Sequence, residues 1–202
     1  MPKIKLTKSE LKTQRDALKQ FSRFLPTLQL KKQQLQLEAR KSQERVELNK
    51  KREADFKENL SSWIAMFGLK SEIDRIVKYI KVEGIFTDKI NIAGVDIPVY
   101  KGAKFNIEQY DLYFESPWVD DGIKAFCDLI EIRAERDIIF EQYRRISYEL
   151  RVTTQRVNLF EKVKIPQCKE NIRKIQIYLG DQMTSAVGRS KIAKKKLSEA
   201  AS

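Results

Sequence analysis

Apolar residues recur at three- and four-residue steps along both outer parts of the chain. The two runs bracket a shorter stretch in which they alternate instead. In the first run Leu11, Leu18, Leu25, Lys32, Ala39, Val46, Glu53 and Leu60 share one heptad position, and Gln14, Phe21, Leu28, Leu35, Ser42, Asn49, Phe56 and Trp63 share its companion. Eleven of these sixteen are apolar, which marks a coiled-coil seam. Thr7-Lys8-Ser9-Glu10 opens the run as a capping box: the Thr7 hydroxyl can accept from the Glu10 amide, and the Glu10 carboxylate can reach back to the Thr7 amide. The pattern predicts a helix over 7–67, with Gly68 as its stop. The polar members Lys32, Ser42, Asn49 and Glu53 interrupt the seam. They either fix register or mark where another protein chain docks.

The second run predicts a helix over 120–179, capped by Asp120 or Asp121. Its stripe follows Leu129, Ile132, Arg136, Ile139, Tyr143, Ile146, Leu150, Thr153, Val157 and Phe160, and resumes at Cys168, Ile172, Ile175, Leu179 and Met183. The step from Phe160 to Cys168, across Pro166, is eight residues, so the seam shifts there. Pro26 stands in the first run; it should kink that helix without ending it, because the heptad register survives on both sides. Gly180 and Gly188 weaken helix beyond 179. Residues 180–202 therefore read as a basic tail with a frayed end.

Between the runs, residues 68–119 form a central segment. Ile73, Ile76, Val77 and Ile80 keep a short helical spacing. From Val82 the residues Ile85, Phe86, Ile90, Ile92, Val95, Ile97, Val99 and Tyr100 largely alternate with polar ones, with breaks at Asp88-Lys89, Ala93-Gly94 and Lys101-Gly102. Two or three short strands, with at least one hairpin, are expected over 83–107. Pro98 places its strand at an edge. Residues 106–118 read as loop, whose Tyr110, Tyr113, Phe114 and Trp118 either pack under the sheet or form a docking surface. The fold class is thus mainly α: a long antiparallel two-helix coiled coil of N- and C-terminal helices, with a small β-hairpin inserted at mid-chain. Folding back near residue 93 makes facing positions sum to roughly 186. Pro26 then faces about residue 160 and Pro166 about residue 20, near the level where both termini meet.

Composition narrows the chemistry. Histidine is absent, which removes the commonest general base and metal ligand. Cys127 and Cys168 have no metal-ligand spacing and read as small buried apolar residues in a reducing compartment. Glycines do not cluster into a phosphate-binding loop. Asp120-Asp121 suits a helix start. No catalytic residue, cofactor or metal is expected. No stretch approaches the ~20 apolar residues of a membrane span, so the chain is expected to be soluble and cytosolic, or held at a membrane by partners, with no direct insertion. The net charge of +12 is uneven: residues 1–60 hold 16 Lys/Arg against 8 Asp/Glu, 61–160 hold 14 against 16, and 161–202 hold 10 against 4. A fold-back gathers the two basic parts at one end. Its candidate contacts are Lys8, Lys12, Arg15, Arg189, Lys191, Lys194, Lys195 and Lys196. These are either a solvated end or a surface for an acidic ring or nucleic acid. No aromatic follows Tyr178, which argues against nucleic acid and against a membrane-lying helix.

Arg156-Val157-Asn158-Leu159-Phe160-Glu161, then Val163, Ile165-Pro166, Ile172 and Ile175, resemble the C-terminal signature of the D subunit of the V-type and archaeal-type rotary ATPases, the central rotor shaft. Leu6-Thr7-Lys8-Ser9-Glu10-Leu11 and Leu30-Lys31-Lys32 with Leu35 are similar to that family's opening helix, and Gly94-Val95-Asp96-Ile97-Pro98 to its hairpin. The chain departs from many members at Phe24-Leu25-Pro26, where they carry a basic, Gly-containing stretch. The resemblance covers nearly the whole length. It implies a non-catalytic subunit whose termini enter a hexamer of alternating A and B subunits. It also implies a small F subunit on the side, with Lys32, Ser42, Asn49 and Glu53 as possible contacts, and a funnel-shaped subunit above the membrane rotor ring. Pro26, Arg156, Asn158, Glu161 and Pro166 are then the signature and bend residues. Two other readings of the residues are a prefoldin-like coiled-coil chaperone, assembling through its strands, and a basic nucleic-acid or membrane-surface adaptor.

Overall fold

The computed structural model of the chain describes residues 4–64, 77–111, 113, 115 and 118–200. The expected stop at Gly68, the helical spacing at Ile73 and Ile76, the Trp63 side chain, Phe114 and the last two residues lie outside the described residues. Among the described residues the elements run in chain order as α1 (Lys8–Ile64), β1 (Ile80–Ile92), β2 (Val95–Ile107), α2 (Val119–Asn158), a π-helical segment (Leu159–Lys164) and α3 (Ile165–Ala200). The described residues group into two compact units. One takes those up to Lys32 and from Val152 onward; the other takes Gln33–Arg151.

Helix α1 begins as its sequence dictates. The Glu10 amide donates to Thr7 Oγ1 at 3.2 Å, which satisfies one of the orphan donors of the first turn. The Glu10 carboxylate turns forward and accepts from Gln14 Nε2 at 2.8 Å. The helix runs unbroken through Pro26. Every heptad position named above from Leu11 to Leu60 is buried or half-buried, and most residues between them are exposed.

In the unit that holds both chain ends, α1 pairs with the segment after Val152. The Phe21 and Phe160 rings lie 5.0 Å apart, and Asn171 Nδ2 donates to Gln14 Oε1 at 3.3 Å. The pairing is antiparallel, since the lower residue of α1 meets the higher residue of the partner helix. The heptad step after Phe160 falls on Lys164, which is exposed; the seam resumes instead at Ile165, Cys168, Ile172 and Ile175, a displacement of one residue. The π segment supplies that residue: the Ile165 amide donates to Phe160 O, five residues back, where an α-helix would bond four back. Seam shift and π-turn are one feature, located just before Pro166.

Helix α3 continues through Gly180 and Gly188 to Ala200, where the sequence predicts a tail from 180. Each glycine costs about 1 kcal/mol of propensity. The flanking Leu, Gln, Met, Ala and Lys residues are good helix formers, and neither glycine is followed by a proline that would stop the helix.

In the other unit α1 and α2 are again antiparallel, and the hairpin lies against them. Two strands of thirteen residues each, longer than the sequence pattern suggests, pair from Ile80↔Ile107 to Ile92↔Val95 with register shifts between Val82 and Gly84 and between Phe86 and Thr87. The turn is Ala93-Gly94, with φ of 51° and 78°, as a two-residue hairpin loop requires. Asn91 secures it by accepting from the Gly94 amide at 3.0 Å. An isolated two-stranded hairpin is marginal in water. This one is held by Ile97, buried with Leu35, Ala39 and Ile146, and by Ile92, Ala93, Val95 and Leu150 around them. Gln142 Nε2 and Arg145 Nη1 of α2 also donate to the Pro98 and Asp96 carbonyls at 2.5 and 3.2 Å.

Helix α2 starts at Val119, so Asp120 and Asp121 lie in its first turn and not ahead of it as a cap. Their charge still suits the helix N-terminus, and Asp120 accepts from the Tyr110 hydroxyl. Val119 and Ile123 form a second buried cluster with Tyr110 and Trp118 packed on it. Tyr113 stays exposed.

Candidate partner-binding surfaces

The basic residues named from the sequence sit on two helices of one unit. Lys8, Lys12 and Arg15 are exposed in the opening turns of α1; Arg189, Lys191, Lys194, Lys195 and Lys196 are exposed near the end of α3. The structure brings the two groups together at one point: Lys8 and Arg189 line the same open cleft, with Tyr178, Asp181, Gln182 and Met183. Lys195 pairs with Glu199 at 3.7 Å. Residues 180–199 form helix with every side chain exposed, the large apolar Met183, Val187, Ile192 and Leu197 among them. Arg156, Asn158, Glu161, Pro26 and Pro166 are also exposed.

The four polar seam residues have different surroundings. Lys32 is half-buried, while Ser42, Asn49 and Glu53 are buried. Glu53 is committed inside the unit: it accepts from Arg136 Nη1 at 2.7 Å and Arg133 Nε at 3.2 Å, and pairs with Lys57 Nζ at 2.7 Å. The Lys57 bond, with Arg133 and Arg136, holds its carboxyl down at about 2, against the burial that works the other way. Asn49 Nδ2 donates to Glu135 Oε2 at 3.1 Å, which also meets Arg52 Nη1 at 3.4 Å. Asn49 Oδ1 and the Tyr100 hydroxyl are buried with no hydrogen-bond partner among the described residues. Both residues line one cleft, with Arg45, Leu48, Val99 and Ile139. Arg136 is visible in sequence as a charged seam position opposite Glu53. Glu135, Arg133 and Tyr100 carry no such signal, since they stand outside the stripe.

Neither thiol is set up as a nucleophile. Burial pushes both Cys127 and Cys168 up, with Asp128 and Glu131 adding to the effect at Cys127. Among the described residues no group of His, Cys, Asp and Glu could hold a metal ion, and no helix is long and apolar enough to cross a membrane.

Comparison with known proteins agrees with the residues quoted above. A family model described as the ATP synthase D subunit matches residues 10–195. The V-type ATP synthase D subunit of Borreliella burgdorferi is 47% identical over 197 residues, covering 98% of this chain and 96% of that protein. Those of Chlamydia abortus and Chlamydia muridarum are each 30% identical, covering 97% of this chain and 94% and 97% of theirs. With a full-length match of this kind over paired helices and a central hairpin, the chain belongs to the ATP synthase D-subunit family.

Proposed function

We propose that this chain is the central-stalk rotor subunit of a V-type ATPase. It carries torque between ATP hydrolysis or synthesis in a hexamer of A and B subunits and ion translocation by the membrane rotor ring, and has no catalysis of its own. The observation that most supports this is the exposed helix at 180–199. A helix that buries nothing against its own chain is marginal in water. This one displays apolar Met183, Val187, Ile192 and Leu197 beside Arg189, Lys191 and Lys194. Such a surface suits an enclosing sleeve of acidic and apolar groups that it can follow without deep locking. Lys8, Lys12 and Arg15 add to the same basic end.

In this reading Pro26 and the π segment before Pro166 give the asymmetry that lets a turning subunit press each catalytic interface in succession. Differential contact then biases each interface among its states. The F subunit binds on the side, and a funnel-shaped subunit joins the central segment to the rotor ring, which holds the chain at the cytoplasmic face of the membrane. Of the possible F contacts, Glu53 is taken up by its own cations, which leaves Asn49 as the better candidate.

Reconstitution with an A/B hexamer tests the proposal. A chain lacking residues 180–202 and the first turn of α1 is expected to lose coupling and its retention in the hexamer ring. Unchanged coupling would overturn the role.

A further inference from the structure

We propose that Asn171 and Gln14, backed by Glu10, key α3 to α1 against rotation about its own axis, so that torque entering along the exposed end of α3 passes into the helix pair. This role deepens the rotor reading and rests on it.

Burial, bonding and the local helix geometry all point to this pair. Asn171 is 7% exposed, in a stretch where Leu11, Leu18 and Phe21 of α1 and Cys168, Ile172 and Ile175 of α3 are the buried or half-buried apolar residues. A buried amide carries a desolvation cost that an apolar side chain would not, so packing alone does not ask for it there. The bond it makes has a direction and a backstop. Asn171 Nδ2 donates to Gln14 Oε1 at 3.3 Å, and Gln14 Nε2 donates in turn to Glu10 Oε1 at 2.8 Å. Glu10 thereby holds the Gln14 amide with its oxygen toward α3. The helix just ahead of Asn171 is weakly held. The π segment Leu159–Lys164 buries no residue, and the Ile165 amide that closes it reaches five residues back to Phe160 O.

Releasing the extra residue of that segment would turn α3 by about 100°. Apolar contact resists such a turn poorly, because hydrophobic burial is non-directional. A hydrogen bond weakens steeply once its angle is lost, and a single polar residue in a helix seam sets register at a cost in stability. Residues 180–199 bury no side chain, so twist applied to them is passed to α1 through the seam that precedes them, where Asn171 lies.

Stability and register should then respond with opposite signs. Gln14→Leu with Asn171→Leu exchanges both amides for apolar groups of similar size, a change that is neutral or stabilising when both partners go together. The melting temperature of the free chain should stay level or rise, while α3 loses its fixed angle. Nitroxides on p-acetylphenylalanine in place of the exposed Asp16 and Arg173 should give one narrow distance distribution with the native pair and a broad or two-peaked one with the leucine pair. In the reconstituted ATPase the double-leucine chain should move fewer ions per ATP hydrolysed. The exchanged pair, Gln14→Asn with Asn171→Gln, keeps the bond and should restore both the narrow distance and the coupling. A narrow distribution or wild-type coupling in the double-leucine chain overturns the key and leaves the rotor reading standing. So does a melting temperature below wild type, which would make the pair an ordinary stabilising contact. Failure of the wild-type chain to couple at all overturns both.

Discussion

Glu53 occupies a heptad position that an apolar side chain would ordinarily fill, and its neighbours explain how it is tolerated. A carboxylate taken from water is costly unless paired and fully hydrogen-bonded. Arg136 and Arg133 from α2 and Lys57 one turn along α1 supply that pairing. The folded carboxyl titrates near 2, against 4.5 ordinarily. The unfolded chain therefore takes up the proton first as the pH falls. The stabilising contribution is complete above 4.5 and is lost as the pH drops through that window toward 2. Glu53→Gln should cost about 2 kcal/mol at neutral pH, less than a wholly buried pair because the cations are partly exposed. It should also flatten the acid limb of stability. Urea midpoints for both chains across the acid range measure this. Parallel curves would mean that the ion cluster contributes nothing.

At the scale of elements, the heptads of α1 are legible because they depend only on local periodicity, and the structure leaves them buried or half-buried from Leu11 to Leu60. The hairpin is legible from alternation and from Ala93-Gly94, but not its full strand length, since strand ends are decided by packing partners far along the chain. The π segment shows in sequence only as the eight-residue step to Cys168. The polar lining of the cleft at Asn49 is half-legible: Asn49 is a polar heptad member, while Tyr100 and Glu135 reach it from 51 and 86 residues away. The π segment invites a double-mutant cycle. If the seam demands the extra residue, Pro166→Ala alone should leave the wide turn in place and change stability by under about 1 kcal/mol. Deleting Glu161 lets the segment revert to α-helix with the seam intact, but now sets the Pro166 ring against the carbonyl four residues back, costing about 3 kcal/mol. Adding Pro166→Ala to that deletion should restore most of the loss. Additive behaviour among the four chains in chemical denaturation would show that proline, and not seam register, creates the turn.

Across the whole molecule, charge and burial are divided differently. Residues 161–202 hold 10 Lys/Arg against 4 Asp/Glu, while 180–199 bury no side chain. Stability within the chain therefore owes little to this stretch, and its charge is available for another surface. Lys191, Lys194 and Lys196 make no ion pair among the described residues. Replacing all three by glutamate lowers the net charge by two per site, from +12 to +6. Exposed substitutions without partners usually move stability by less than about 0.5 kcal/mol, so the free chain should unfold at an unchanged midpoint. Association with the A/B hexamer should weaken most at low salt, where screening is least. Its dependence on ionic strength should become shallower, because fewer counter-charges are displaced or steered. Titrating wild type and the triple variant against the hexamer at several salt concentrations separates the cases. If the affinities coincide at low salt, the apolar stripe of Met183, Val187, Ile192 and Leu197 carries the contact without electrostatic help.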